Sequence, residues 1–108
     1  MDPGDLPAKI RRFELQALAA AKERFEVAKV FTIGATDIDP KHFAVWITTQ
    51  TDAQRDALAG DAALREALVA ALHSVGYPQE AIPKVVFAFE SEETVKREYG
   101  GDWWACIK

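Results

Sequence analysis

Hydrophobic residues recur at helical spacing in the first quarter of the chain and again in its middle. The first stripe predicts an amphipathic helix from Leu6 to Arg24, with Asp5 as its cap. The second stripe follows the capping-box sequence Thr51-Asp52-Ala53-Gln54 and predicts a long helix that kinks or restarts at Gly60-Asp61. The apolar positions of this second stripe are Leu64, Leu68, Ala71, Leu72 and Val75.

Other segments combine β-branched and aromatic residues, which is typical of strands. Two strands are predicted at 30–33 and 42–48, joined by the turn-rich segment 34–41. The segment 84–89, which is apolar throughout after Lys84, indicates a third strand, central in its sheet and covered on both sides. After a short helix capped by Ser91, residues 103–107 are interpreted as a fourth strand.

This order of elements, α-β-β-α-β-α-β, predicts a two-layer α+β sandwich with a mixed four-stranded sheet. The second and third strands are expected to be parallel, because a long helix connects them. The length of 108 residues suits a single globular domain, residues 1–108, in which residues 1–5 form a flexible lead.

Trp103 and Trp104 are adjacent, and neighbouring side chains of a strand point to opposite faces. The two rings therefore cannot enter the same core. Two large helices on one face of the sheet would leave the other face short of cover. We expect Trp46 and one ring of the pair to lie on this partly open face. The face is then closed by this chain itself, by a second copy of it or by a protein partner.

Composition and charge narrow the class of protein. The chain is 49% hydrophobic and 28% charged, as folded globular proteins are. Its net charge of −4 disfavours nucleic-acid binding, and no apolar run reaches the roughly 20 residues that span a membrane. The polar, acidic N-terminus predicts no secretory signal. A single cysteine, Cys106, excludes an internal disulfide and suits a reducing compartment, so we expect a cytoplasmic protein.

Motifs that carry chemistry are missing from the sequence. It has no glycine-rich phosphate loop, no paired-cysteine or His-Glu-x-x-His metal motif, and no nucleophilic serine elbow. The sequence therefore predicts no cofactor and no metal, and favours a binding module over an enzyme. The alternative is a small-molecule site or minor enzyme at the Asp37/Asp39 loop and the neighbouring His42, which begins the next strand, with Cys106 as a further candidate. Cys106 lies in an apolar segment, where a free cysteine behaves as a small hydrophobe.

The C-terminal fifth combines a capped short helix with Gly-Gly-Asp-Trp-Trp, over residues 89–95 and 99–104. This segment resembles the ends of some small bacterial proteins of unknown function, and the general plan is similar to that of compact α+β immunity proteins, which bind toxins. The resemblance implies a stand-alone protein-binding module of immunity or adaptor type. The candidate binding residues are Trp46, Trp103, Trp104, Tyr99, Glu90, Glu92 and Glu93.

Overall fold

A computed structural model describes residues 6–107. The elements are α1 (Leu6–Arg24), β1 (Lys29–Ile33), β2 (Ala44–Thr49), α2 (Asp52–Ala59), α3 (Ala62–Ser74), β3 (Val86–Ser91), α4 (Glu92–Tyr99) and α5 (Trp103–Ile107). A single turn of 3₁₀ helix precedes β3. The bounds of α1 are those that the apolar stripe predicts. The predicted lead at 1–5 and the cap Asp5 lie outside the described residues.

The predicted fourth strand is wrong, and with it the order α-β-β-α-β-α-β and the four-stranded sheet. Residues 103–107 form α5, so the described chain holds a three-stranded mixed sheet and five α-helices. The carboxylate of Asp102 accepts from the backbone amides of Trp104 (3.0 Å) and Ala105 (3.3 Å), which are donors left without helical partners at a helix start. This cap outweighs the β propensity of the tryptophans.

The middle helix is divided by a second cap, which raises the helix count. Thr51 and Gln54 form the predicted capping box at the start of α2. Gly60 then ends α2, and the carboxylate of Asp61 accepts from the amide of Leu64 at 2.9 Å to begin α3. The predicted restart at Gly60-Asp61 is therefore confirmed.

The sheet has the order β1-β2-β3, with β1 antiparallel and β3 parallel to β2. The predicted parallel pairing is confirmed, whereas the prediction that the third strand is central is wrong. An apolar run reports how the faces of a strand are covered, not how many strands pair with it. In β3, Phe87 and Phe89 are half-buried and Val86 is 56% exposed, as befits a strand at the edge of the sheet.

Strand register assigns every side chain to one of two faces, because directly paired residues point the same way. We call one the covered face; it comprises Val30, Thr32, Val45, Ile47, Thr49, Phe87, Phe89 and Ser91. We call the other the open face; its apolar members are Phe31, Ile33, Ala44, Trp46, Val86 and Ala88.

The main core lies on the covered face, where α1 and α3 pack against each other and against the sheet. Val45 and Ile47 of β2 are 0% exposed, as are Phe13 of α1 and Leu68 of α3. Burying such a side chain contributes about 1.5–3 kcal/mol relative to exposure. The long helices therefore pack on one face only. Among the described residues, no helix of comparable length packs on the open face.

Gly34 ends β1 where the chain turns toward β2. Its φ of 135° lies in a region that L side chains rarely adopt, and a Cβ there would stand 1.8 Å from the carbonyl oxygen of His42. Only glycine lets the two ends of this loop approach so closely. The loop thereby sets the antiparallel register that places Phe31 directly opposite Trp46.

Candidate functional site

Aromatic rings form a continuous row on the open face. Phe31 of β1 stacks on Trp46 of β2, with ring centroids 5.8 Å apart and planes inclined by 5°. Trp103 of α5 meets Phe31 edge-on at 6.2 Å and 85°. The predicted partly open aromatic face therefore exists, but Phe31, which sequence reasoning left out of it, is its centre. The sequence signal for Phe31 was its position in the period-two alternation of its own strand, opposite Trp46 across the predicted hairpin.

The two adjacent tryptophans lie at the start of α5, directly after a glycine turn, and point in different directions. Gly100 and Gly101 have φ of 60° and 86°, and the αL conformation of Gly100 ends α4. In α5, consecutive side chains diverge by about 100° around the helix axis. Trp103 consequently lies half-buried against Phe31, whereas Trp104 is 70% exposed.

A pocket of about 430 Å³ opens between α5 and the sheet. Apolar groups of Phe31, Ile33, Trp103, Trp104 and Ile107 form most of its wall. The rest of the lining consists of Val30, Thr48 and two charged residues, Lys29 and Glu92. Glu92 accepts a hydrogen bond from Trp103 Nε1 at 3.4 Å, so its carboxylate also helps to orient that ring.

The predicted acidic residues separate into two groups. Glu90 binds Arg55 at 2.9 Å, and Glu93 accepts from the backbone amide of Asp52 at 2.9 Å, so both carboxylates bind within the chain. Glu92 alone lines the pocket. Tyr99, at the end of α4, is 39% exposed.

A polar cluster joins the starts of α2 and α4. Asp52 accepts from the hydroxyls of Ser91 and Thr94, each at 2.5 Å, and from Arg97 at 3.1 Å. These bonds, with that from Ser91 foremost, hold the pKa of Asp52 at about 2. Ser91 is 0% exposed and its oxygen also accepts from the amide of Thr94, so the cluster locks two helices rather than presenting a nucleophile.

The sequence did not single out Asp52, Arg55, Thr94 or Arg97. Their signal was indirect: Thr51 and Ser91 mark two helix starts, but nothing in the sequence says that these starts meet. The contact depends on β2 and β3 being parallel, which brings the ends of both strands to the same side of the sheet.

In the loop proposed for small-molecule chemistry, the carboxylate of Asp39 already interacts with a neighbouring residue of the same loop. Asp39 accepts from the amide of Lys41 at 3.0 Å, and this bond is the first cause that lowers the pKa of Asp39. Lys41 Nζ stands 3.6 Å from the same carboxylate. Asp37 and His42 are exposed.

Cys106 lies half-buried on α5, away from the strand position that the sequence predicted for it. Burial, and then the charges of Glu90 and Glu98, raise the pKa of its thiol. A raised pKa favours the protonated thiol, which is the less nucleophilic form.

Over residues 6–107, no group of three or more His, Cys, Asp or Glu side chains is placed to hold a metal ion. Nor does this part of the chain contain a helix long and apolar enough to cross a membrane. Comparisons with protein-family models, with curated proteins and with solved structures found no match.

Proposed function

We propose that this chain is a small protein-binding module that docks its partner on the open face. The observation that carries the proposal is Trp104, a tryptophan 70% exposed at the mouth of an apolar pocket of about 430 Å³. Tryptophan is among the residues enriched at binding hot spots, especially where it lies beside a pocket.

The energetics favour an occupant for this surface. Burying most of a tryptophan ring of roughly 200 Å², at about 25 cal/mol per Å², yields on the order of 3–4 kcal/mol. Phe31 already packs against both Trp46, by stacking, and Trp103, by an edge-on contact. A partner that contacts them immobilises few additional side chains, and the entropic cost of association is correspondingly smaller.

The narrower assignment is a cytoplasmic, bacterial module of immunity or adaptor type. It is supported by the likeness of the C-terminal segment to small bacterial proteins and by the presence of a single cysteine. The partner in this proposal is a protein. Self-association through the open face is the competing occupancy, and it predicts a mass that rises with concentration.

Affinity capture tests the proposal. Wild-type protein and the Trp104→Ala variant are used as baits in lysate from the native host, and the captured proteins are quantified. Ile38→Ala is the matched control, because Ile38 is a 77% exposed apolar side chain outside the pocket. We expect Trp104→Ala to lose a specific partner that Ile38→Ala retains.

Trp46→Ala extends the test from the mouth of the pocket to the ring stack, and sedimentation at several concentrations monitors self-association. If the tryptophan variants change neither the captured proteins nor the oligomeric state, the proposal is wrong.

A further inference from the structure

The outer edge of β1 is available for pairing. Among the described residues, β1 pairs with β2 alone, so the backbone groups on its other side have no strand partner. Such an edge is a template onto which another extended segment can add. Natural proteins often protect such edges with charges, prolines or bulges, yet the centre of β1 is Val30-Phe31-Thr32.

A cavity flanks this edge on each face of the sheet. On the open face lies the pocket beneath Trp104, which reaches Val30 at the edge. On the covered face lies a second cavity of about 430 Å³, between β1 and α1, where Arg11, Glu14, Leu15 and Leu18 of α1 form one wall. Side chains of a strand alternate between faces. An extended segment paired with β1 would therefore direct alternate side chains into the two cavities.

The side of α1 that overlooks the edge has a distinct charge pattern. Thr32 donates to Glu14 at 2.7 Å, which holds α1 alongside β1. Arg11, Leu15, Leu18 and Lys22 fall on one helical stripe, apolar in the middle and basic at both ends. Leu15 is 70% exposed, and neither Arg11 nor Lys22 forms an ion pair within residues 6–107.

The same stripe argues against a second copy of this chain as the occupant. Twofold pairing of β1 with its own copy is antiparallel about Phe31, and it brings the two α1 helices side by side in opposite directions. Arg11 of each copy then faces Lys22 of the other, and like charges repel. A segment with acidic residues at both ends is complementary where a second copy is not.

We propose that an extended segment of a partner protein, apolar at its centre and acidic at its ends, adds to the free edge of β1 as a fourth strand. Its backbone pairs with β1, its apolar side chains alternate between the two cavities, and its carboxylates face Arg11 and Lys22. This inference rests on the proposed function, because one of the two cavities is the pocket beneath Trp104.

Phage-displayed random nonapeptides test the inference. We expect selected peptides to alternate apolar residues at their centre and to carry Asp or Glu at both ends. The best peptide is then synthesised with N-methyl groups on alternate amides, in two complementary versions. Only one set of amides faces β1, so one version should lose at least tenfold in affinity and the other should bind as before.

Charge-swap variants of the chain supply the second measurement. Arg11→Glu with Lys22→Glu should weaken binding of the selected peptide at least tenfold. Arg12→Glu with Lys96→Glu makes the same change in net charge at exposed positions outside both cavities, and should leave affinity within twofold. Thermal melts of both variants confirm that they fold.

The inference is overturned if no peptide is enriched, if both N-methylated versions bind, or if the chain dimerises through β1. Capture that depends on Trp104, with no edge-pairing peptide, rejects this inference and leaves the proposed function standing. Edge-pairing peptides together with capture that ignores Trp104 reject the proposed function instead.

Discussion

The same three strands form both faces of this sheet, yet the two faces differ in how deeply their side chains are buried. On the covered face, Val45 and Ile47 are 0% exposed beneath α1 and α3. On the open face, Phe31 and Trp46 are half-buried, and Trp103 of the five-residue α5 packs against Phe31. Apolar character alone does not distinguish a face that helices cover from a face that stays partly exposed. What decides is whether the chain has enough helix to cover both faces.

The largest expected effect contrasts one residue type on the two faces. Ile47→Ala should lower the free energy of unfolding by about 2–5 kcal/mol, because it leaves a cavity in a closed core. Ile33→Ala makes the same change on the open face, where the side chain is half-buried, and should cost less than half as much. Urea denaturation of both variants provides the comparison, and equal losses would contradict the distinction between the faces.

The adjacent tryptophans sharpen the contrast within a single helix. Trp103→Ala should lower the unfolding free energy by about 1–2 kcal/mol, since it removes the edge-on contact with Phe31 and uncovers that ring. Trp104→Ala should stay within about 0.5 kcal/mol, as substitutions at exposed positions usually do. Chemical denaturation measures both, and the reverse order of losses would show that the assignment of the two rings is wrong.

The polar cluster makes the stability of the fold depend on pH. The pKa of Asp52 is about 2 in the folded chain, below the ordinary carboxyl value of 3.8. A lowered folded pKa stabilises the fold above the unfolded pKa, and this contribution is lost as pH falls through the folded value. Stability should therefore decline between about pH 4 and pH 2.

Asp52→Asn isolates that contribution. The variant should be less stable at neutral pH and should show a shallower decline on acidification over the same interval. Denaturation at several pH values compares it with Asp56→Asn, a change at an exposed carboxylate of the same helix. Identical pH profiles for wild type and Asp52→Asn would remove Asp52 as the cause.

A small effect is also expected at the rim of the covered face. The guanidinium of Arg65 lies 5.3 Å from the ring centroid of Phe87, a cation–π contact. Arg65→Gln should cost about 0.5–1 kcal/mol at this exposed site. Glu66→Gln, on the same helix, serves as the control. Equal stabilities of the two variants would mean that the contact contributes nothing measurable.

Local signals predicted much of the fold. The stripe from Leu6 to Arg24 gave the bounds of α1, and the polar caps at Thr51 and Asp61 gave two helix starts, because each depends on neighbours within four residues. The prediction of a strand at 103–107 was wrong, because a run of five apolar residues is compatible with a strand as well as with one helical turn. Asp102, a good N-cap residue directly before it, was the overlooked signal.

Predictions about the candidate site depended on contacts between residues that are distant in the sequence. Trp46 lies on the open face as expected, since alternation along β2 is a local property. Both tryptophans of the pair, and not one as expected, line the pocket on that face, and 103–107 is a helix instead of a strand. Phe31 and the edge position of β3 were missed, because pairing partners and strand order follow from tertiary contacts. The partners of Glu90 and Glu93 follow from the meeting of α2 with α4, which hydrophobic patterns do not encode.

Photo-crosslinking tests most directly the claim that the open face docks another protein. Wild-type Trp104 is replaced by p-benzoylphenylalanine in cells that express the chain, and Ile38, an equally exposed apolar position, is replaced in the same way. If the open face docks another protein, irradiation should give a specific adduct of higher mass from position 104 and none from position 38. No adduct from position 104, or the same adducts from both positions, would contradict it.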